Sequence, residues 1–112
     1  GSQSDAYCIC KVSGKKRTLF KTPVIQNQSN PVWNYTSEML QLAGPEELKF
    51  EVWDEDLAAH DFLGQALVHA DVFYPHGFEG ALGLHKKNST KKSKGSLQLK
   101  IEVLENADDE GA

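Results

Sequence analysis

Apolar and polar positions alternate in short runs along this chain. Leu48, Phe50 and Val52 share one side of an extended segment, and Leu97, Leu99, Ile101 and Val103 share one side of another. Seven segments of this kind are rich in β-branched or aromatic residues and are separated by turn formers: Asp5–Val12, Arg17–Ile25, Val32–Leu42, Glu47–Trp53, Phe62–Phe73, Phe78–His85 and Ser96–Glu105. No segment holds apolar positions at helical spacing over ten residues, so helix is limited to a turn around His69–Phe73. The pattern predicts an all-β fold, a sandwich of two antiparallel sheets, with Trp33 as a structural side chain.

At the foot of one strand stands the run VWDEDLAAHDFLG, with Asp54, Asp56 and Asp61 inside eight positions. Residues two apart point the same way, so Asp54 and Asp56 continue the inward face of Leu48, Phe50 and Val52 past the end of the strand. Carboxylates held side by side repel one another unless water or a cation compensates. A hard divalent cation demanding six to eight oxygens suits such a group, calcium better than magnesium, and Asp61 returns a third carboxylate when the loop turns back. A solvated turn is the other interpretation of the same residues. A helix-loop-helix calcium hand is excluded: counted from Asp54, its fifth, sixth and twelfth positions are Ala58, Ala59 and Gln65.

Composition narrows the classes. With 112 residues, 25% charged and 39% hydrophobic, the chain is the size of one small domain. No apolar run approaches a membrane span, and the opening GSQSDAY has no secretory pattern. Cys8 and Cys10 lie two apart in an extended run, about 6.5 to 7 Å between Cα atoms, which suits a disulfide poorly. C-x-C without further ligands is no zinc pattern, so both are expected as buried thiols in a reducing, cytoplasmic compartment. His60 lies in the acidic loop, whereas His69, His76 and His85 show no ligand spacing. Nothing resembles a nucleophile with its base, a phosphate-binding glycine loop or a nucleic-acid motif, so neither enzyme activity nor nucleic-acid binding is expected.

Three stretches in register carry a resemblance. Ser4-Asp5-Ala6-Tyr7 precedes a strand, Lys21-Thr22-Pro23-Val24-Ile25 leads into Asn30-Pro31-Val32-Trp33-Asn34, and Leu48-Lys49-Phe50-Glu51-Val52-Trp53-Asp54-Glu55-Asp56 ends in Asp61-Phe62-Leu63-Gly64. Together they resemble a C2 domain, which implies an eight-stranded β-sandwich that docks on anionic phospholipid in a calcium-dependent way. Carried over residue by residue, the resemblance implies calcium ligands at Asp5, Asp54, Asp56 and Asp61, completed by the backbone carbonyl of Trp53. Ala6 stands where the family usually has proline, and the segment between Asp56 and Asp61 is one residue shorter than its commonest pattern.

The expected function is therefore a membrane-recruitment module, cytoplasmic and drawn to the membrane surface when calcium rises. Leu57 at the loop tip is expected to insert into the interface. Lys86, Lys87, Lys91, Lys92 and Lys94 form a run without one acid, and alternation of connections in an antiparallel sandwich puts that run at the same end as the acidic loop. The cluster Lys15, Lys16, Arg17 and Lys21 resembles only loosely a phosphoinositide-binding strand. The alternatives are a calcium-independent protein-interaction domain and an accessory domain of a lipid-modifying enzyme. Domain bounds of 1–105 are expected, with an acidic, disordered tail over 106–112. Seven strands against the family's eight imply that the first is missing here, to be supplied beside Ala6–Val12 by upstream residues or another chain.

Overall fold

The computed structural model describes residues 4–28, 30–37, 46–56, 58–87 and 91–104. They form six strands: β1 (Ala6–Val12), β2 (Thr18–Lys21), β3 (Leu48–Glu55), β4 (His60–Val68), β5 (Phe78–His85) and β6 (Lys92–Ile101), with one helical turn, α1 (Ala70–Phe73), between β4 and β5. All pairings are antiparallel, in the order β2-β1-β3-β4-β5-β6. The sheet curls into a half-barrel, so that Leu97 of β6 joins the same core as Ala6, Cys8, Cys10 and Val12 of β1 and Leu48, Phe50 and Val52 of β3.

Strict alternation builds that core. Even-numbered residues of β1 pair with even-numbered residues of β3, Cys8 with Val52 and Cys10 with Phe50, and all four are buried. Phe20 of β2 lies opposite Cys10 and closes that side against Phe50, ring centres 6.4 Å apart. The two thiols are free and buried, as the sequence predicts. Burial first, then the Glu51 carboxylate for Cys8 and the neighbouring Cys8 for Cys10, pushes both up to about 12.

The other face of β1 and β3 is polar but not open. Glu51 is 5% exposed there, and its charge is met by Lys11 Nζ at 3.5 Å, Lys49 Nζ at 3.6 Å and the Trp53 indole N–H at 3.2 Å. A carboxylate withdrawn from water needs such compensation.

Several expected elements differ. The strand expected over Arg17–Ile25 shortens to Thr18–Lys21, with Ile25 returning as an isolated bridge to Ala6. Pro23 has no N–H to donate to a ladder, and just before it the buried Thr22 hydroxyl takes the place of a ladder carbonyl, accepting from Cys8 N–H at 2.9 Å and donating to the Pro23 carbonyl at 3.0 Å. Of the strand expected over Val32–Leu42, residues 30–37 form none, and 38–42 lie outside the described residues. Trp33 instead anchors its segment to the core by donating its indole N–H to the Ala6 carbonyl at 3.1 Å. The expected strand over Phe62–Phe73 divides into the end of β4 and the turn α1, where the sequence predicts its one helical turn.

The strand expected beside Ala6–Val12 finds no place there, because β2 and β3 already occupy both edges of β1. Alternation reveals which face of a strand is buried but not which strand lies next to it, and β3 comes from the far side of a long connection. Among the described residues the unpaired edges belong to β2 and β6. The tail over 106–112 lies outside the described residues.

Two outcomes follow. At pH 8 a thiol titrating near 12 is thiolate in roughly one molecule in ten thousand, so iodoacetamide should leave Cys8 and Cys10 unmodified in the native protein and label both in denaturant, as mass spectrometry will read. Val68 is 1% exposed; Val68→Ala should cost about 2 kcal/mol and lower the melting temperature by about 10 °C, measured by circular dichroism.

Candidate functional site

The acidic residues gather where β3 ends and β4 begins. Asp54 continues the inward side of Leu48, Phe50 and Val52, as alternation predicts, and pairs directly with Ala6 on one side and Asp61 on the other. The facing of Asp61 depends on an irregularity. Val52 pairs with Gly64 but Trp53 pairs with Phe62, so Leu63 is an extra residue in β4. With unbroken alternation Asp61 would oppose the parity of Gly64, Ala66 and Val68 and turn outward. The bulge at Leu63 restores it to the inner face, opposite Asp54. The same shift sends Phe62 outward, where its ring meets Trp53 edge-on at 5.3 Å.

Asp5 enters from the segment before β1. Its N–H donates to Oδ1 of Asp54 at 2.9 Å, and its carbonyl accepts from Glu55 N–H at 2.8 Å. Its own carboxylate accepts from the backbone N–H of Asn27 at 2.6 Å, and Gln28 N–H donates to the Ser4 carbonyl at 3.0 Å. Asn27 is left-handed, φ 57°, in a turn that aims its N–H at the acid. Gln28 thus lies beside the acidic rim. Sequence reasoning misses Asn27 as a carboxylate's partner, although the polar turn formers of Gln26–Asn30 are its signal. Asp56 lies just past β3, exposed, with its N–H on the Ala59 carbonyl at 3.0 Å, so the loop closes over four residues before His60 pairs with Glu55.

Asp5, Asp54 and Asp61 thus meet at one end of the sheet, and Asp56 stands at the entrance of the loop. Among the described residues, however, no three or more His, Cys, Asp or Glu side chains form a group able to hold a metal ion as they stand. Two of the carboxylates are turned onto backbone N–H groups instead. Leu57 lies outside the described residues.

The lysine run follows β5. Because β5 is antiparallel to β4, with Gln65 opposite His85, the turn after His85 lies at the end of the sheet where β4 starts, the end of the acidic loop. Lys86 N–H donates to the Lys91 carbonyl at 2.9 Å, and Lys86, Lys87 and Lys91 are exposed. Lys92 and Lys94 open β6; their side chains lie outside the described residues. No described helix is long and apolar enough to cross a membrane.

A family model described as C2 domain matches residues 1–84. Extended synaptotagmin-1 of Mus musculus is 39% identical over 77 residues, 68% of this chain and 7% of that protein. Multiple C2 and transmembrane domain-containing protein 2 of Mus musculus is 31% identical over 102 residues, 90% of this chain and 11% of that protein. The chain therefore spans about a tenth of the length of these curated relatives. Among solved structures, a calcium-bound pair of C2 domains from Extended-Synaptotagmin 2 aligns with a TM-score of 0.68 at 30% identity, covering 88% of this chain and 35% of that one. A single C2 domain of plant Extended Synaptotagmin 1, at 18% identity, shares the fold with a TM-score of 0.69 over 92% of this chain and 81% of that one.

The opposed Asp54 and Asp61 carry a stability consequence. Like charges directly across a strand pair are unfavourable by about 0.5 kcal/mol. In calcium-free, low-salt buffer Asp61→Asn should therefore raise the melting temperature by a few degrees, and the gain should shrink at about 1 M salt, where charges are screened within about 3 Å. Calorimetry at both ionic strengths checks this.

Proposed function

Because the chain belongs to the C2 domain family, we propose that it is a calcium-dependent membrane-recruitment module that docks on anionic phospholipid. The observation that carries this proposal is the register of Asp54 opposite Asp61 on the inner face, with the backbone of Asp5 bonded to both Asp54 and Glu55. The donor set is all oxygen, the kind a hard divalent cation takes. Asp5, Asp54, Asp56 and Asp61, with the carbonyl of Trp53, would hold calcium, which would supply positive charge where carboxylates crowd. The calcium-bound state of the Extended-Synaptotagmin 2 relative supports this choice of ion.

The lysines give the second half of the proposal. Lys86, Lys87 and Lys91, with Lys92 and Lys94 beside them in sequence, would face the same surface as the acidic loop. Each lysine near an anionic leaflet contributes on the order of 1 kcal/mol, and Leu57 would enter the interface. The formal net charge of minus four does not oppose this docking, since charges more than about 10 Å apart are largely screened.

A calcium-independent protein-interaction domain is the second interpretation. The Asp5 and Asp54 carboxylates already accept backbone N–H groups, and this satisfaction favours it.

Calorimetric calcium titration with and without phosphatidylserine vesicles decides between them. Binding to the native state alone stabilises by about 2.7 kcal/mol at a hundredfold excess over Kd, so calcium should raise the melting temperature and vesicles should tighten calcium binding. Asp54→Asn with Asp56→Asn should abolish both effects. Neutralising the five lysines should weaken vesicle sedimentation and flatten its salt dependence. No calcium uptake, and no vesicle sedimentation in calcium or in chelator, would leave the protein-interaction interpretation standing.

A further inference from the structure

The face of the sheet opposite the carboxylates holds a contact that the function described so far does not use. The Tyr7 hydroxyl lies 2.6 Å from Nδ1 of His60, and the two rings meet edge-on with centres 5.6 Å apart. Tyr7 pairs with Trp53, and His60 pairs with Glu55 on the far side of β3, so the contact crosses β3 diagonally and ties β1 to the first residue of β4. Tyr7 is 4% exposed, with Lys21 Nζ 4.5 Å from its ring centre, whereas His60 is exposed. The tyrosine is thus the fixed member of the pair and the histidine the one being held. The histidine tautomer sets the direction of the bond: the hydroxyl donates to a bare Nδ1 or accepts from a protonated one.

The position of this bond matters because of what lies on the other side of the same strands. Asp54 and Asp61 face each other on the inner side, one pair along from Glu55 and His60, and like charges so placed work to part the ends of β3 and β4. Within the loop the Asp56–Ala59 backbone bond closes the turn. A bond on the outer face that pulls His60 toward β1 opposes that parting without consuming any carboxylate oxygen.

We infer that the Tyr7 hydroxyl is a latch that positions the acidic loop, holding the start of β4 in register through His60 so that Asp61 stays opposite Asp54. Its effect on ion binding rests on the calcium reading proposed above, whereas its effect on the loop does not. Tyr7 is a positioning residue: it touches no ligand and acts through His60.

The test uses Tyr7→Phe, His60→Ala and the double variant, a cycle that isolates the coupling between the two side chains. In calcium-free buffer, amide hydrogen exchange at Asp56 and His60 should quicken about three- to tenfold in Tyr7→Phe, the factor expected for losing one partly buried hydrogen bond, while the global melting temperature stays within a few degrees. Tyr7→Phe should add nothing in the His60→Ala background. Calcium affinity by calorimetry should fall by a similar factor in either single variant. Unchanged exchange at Asp56 and His60, or a full effect of Tyr7→Phe when His60 is already alanine, overturns the latch. If Tyr7→Phe does not fold, His60→Ala alone reads the same loss from an exposed position, and unchanged exchange at Asp56 there overturns it equally. Faster exchange in a protein whose wild type takes up no calcium upholds the latch and removes the calcium proposal.

Discussion

Everything at the acidic end depends on the register of β3 between its two neighbours. Side chains on a strand alternate with a period of two, so a slip of one residue would turn Leu48, Phe50 and Val52 to water and expose the apolar face of the molecule. Burial of those three against Ala6, Cys8, Cys10, Ala66 and Val68 therefore pins the strand, and Asp54, two residues past Val52, is carried to its place by a force that has nothing to do with its charge. The core determines where the carboxylates stand. Their own mutual repulsion is a small term beside the burial that fixes the frame.

Such an arrangement leaves the rim locally frustrated. Asp54 and Asp61 oppose one another, and backbone N–H groups from Asp5 and Asn27 relieve part of the crowding. Natural sequences break local rules mainly where function requires it. The opposite face resolves its own buried charge fully, with two lysines and an indole around Glu51. The two faces thus differ in how they meet charge: lysines and an indole surround Glu51, whereas only backbone N–H groups meet the Asp5 and Asp54 carboxylates at the rim.

Much of this is legible in the sequence, and the boundary has physical causes. The inward facing of Asp54 follows from counting by two along an apolar strand, and the burial of Cys8 and Cys10 from their shared side. The rim position of the turn after β5 follows from alternating connections. The facing of Asp61 does not follow, because the Leu63 bulge shifts parity and nothing in Phe62-Leu63-Gly64 beyond the glycine announces it. The strand expected at Val32–Leu42 is suggested by apolar residues at Val32, Trp33 and Tyr35, but Trp33 anchors its segment by an indole bond to Ala6 rather than by a ladder. The neighbours of β1 escape the same reasoning because pairing between distant segments leaves no local trace in either. Tyr7 and His60 are 53 positions apart, and only the folded sheet makes them a pair.

The ladder is uneven, and this has a mechanical meaning. β1 pairs with β3 from Ala6 to Val12, and β3 with β4 along its whole length, whereas β4 and β5 are joined at the single pair Gln65–His85. The β5-β6 hairpin is therefore held to β2-β1-β3-β4 less by ladder bonds than by the shared core that Leu84 and Leu97 enter. The acidic loop joins β3 to β4, and the lysine turn joins β5 to β6. What holds the two ends of opposite charge side by side is consequently the packing of apolar side chains between the hairpins, so a loss of volume in that core would be felt at the rim.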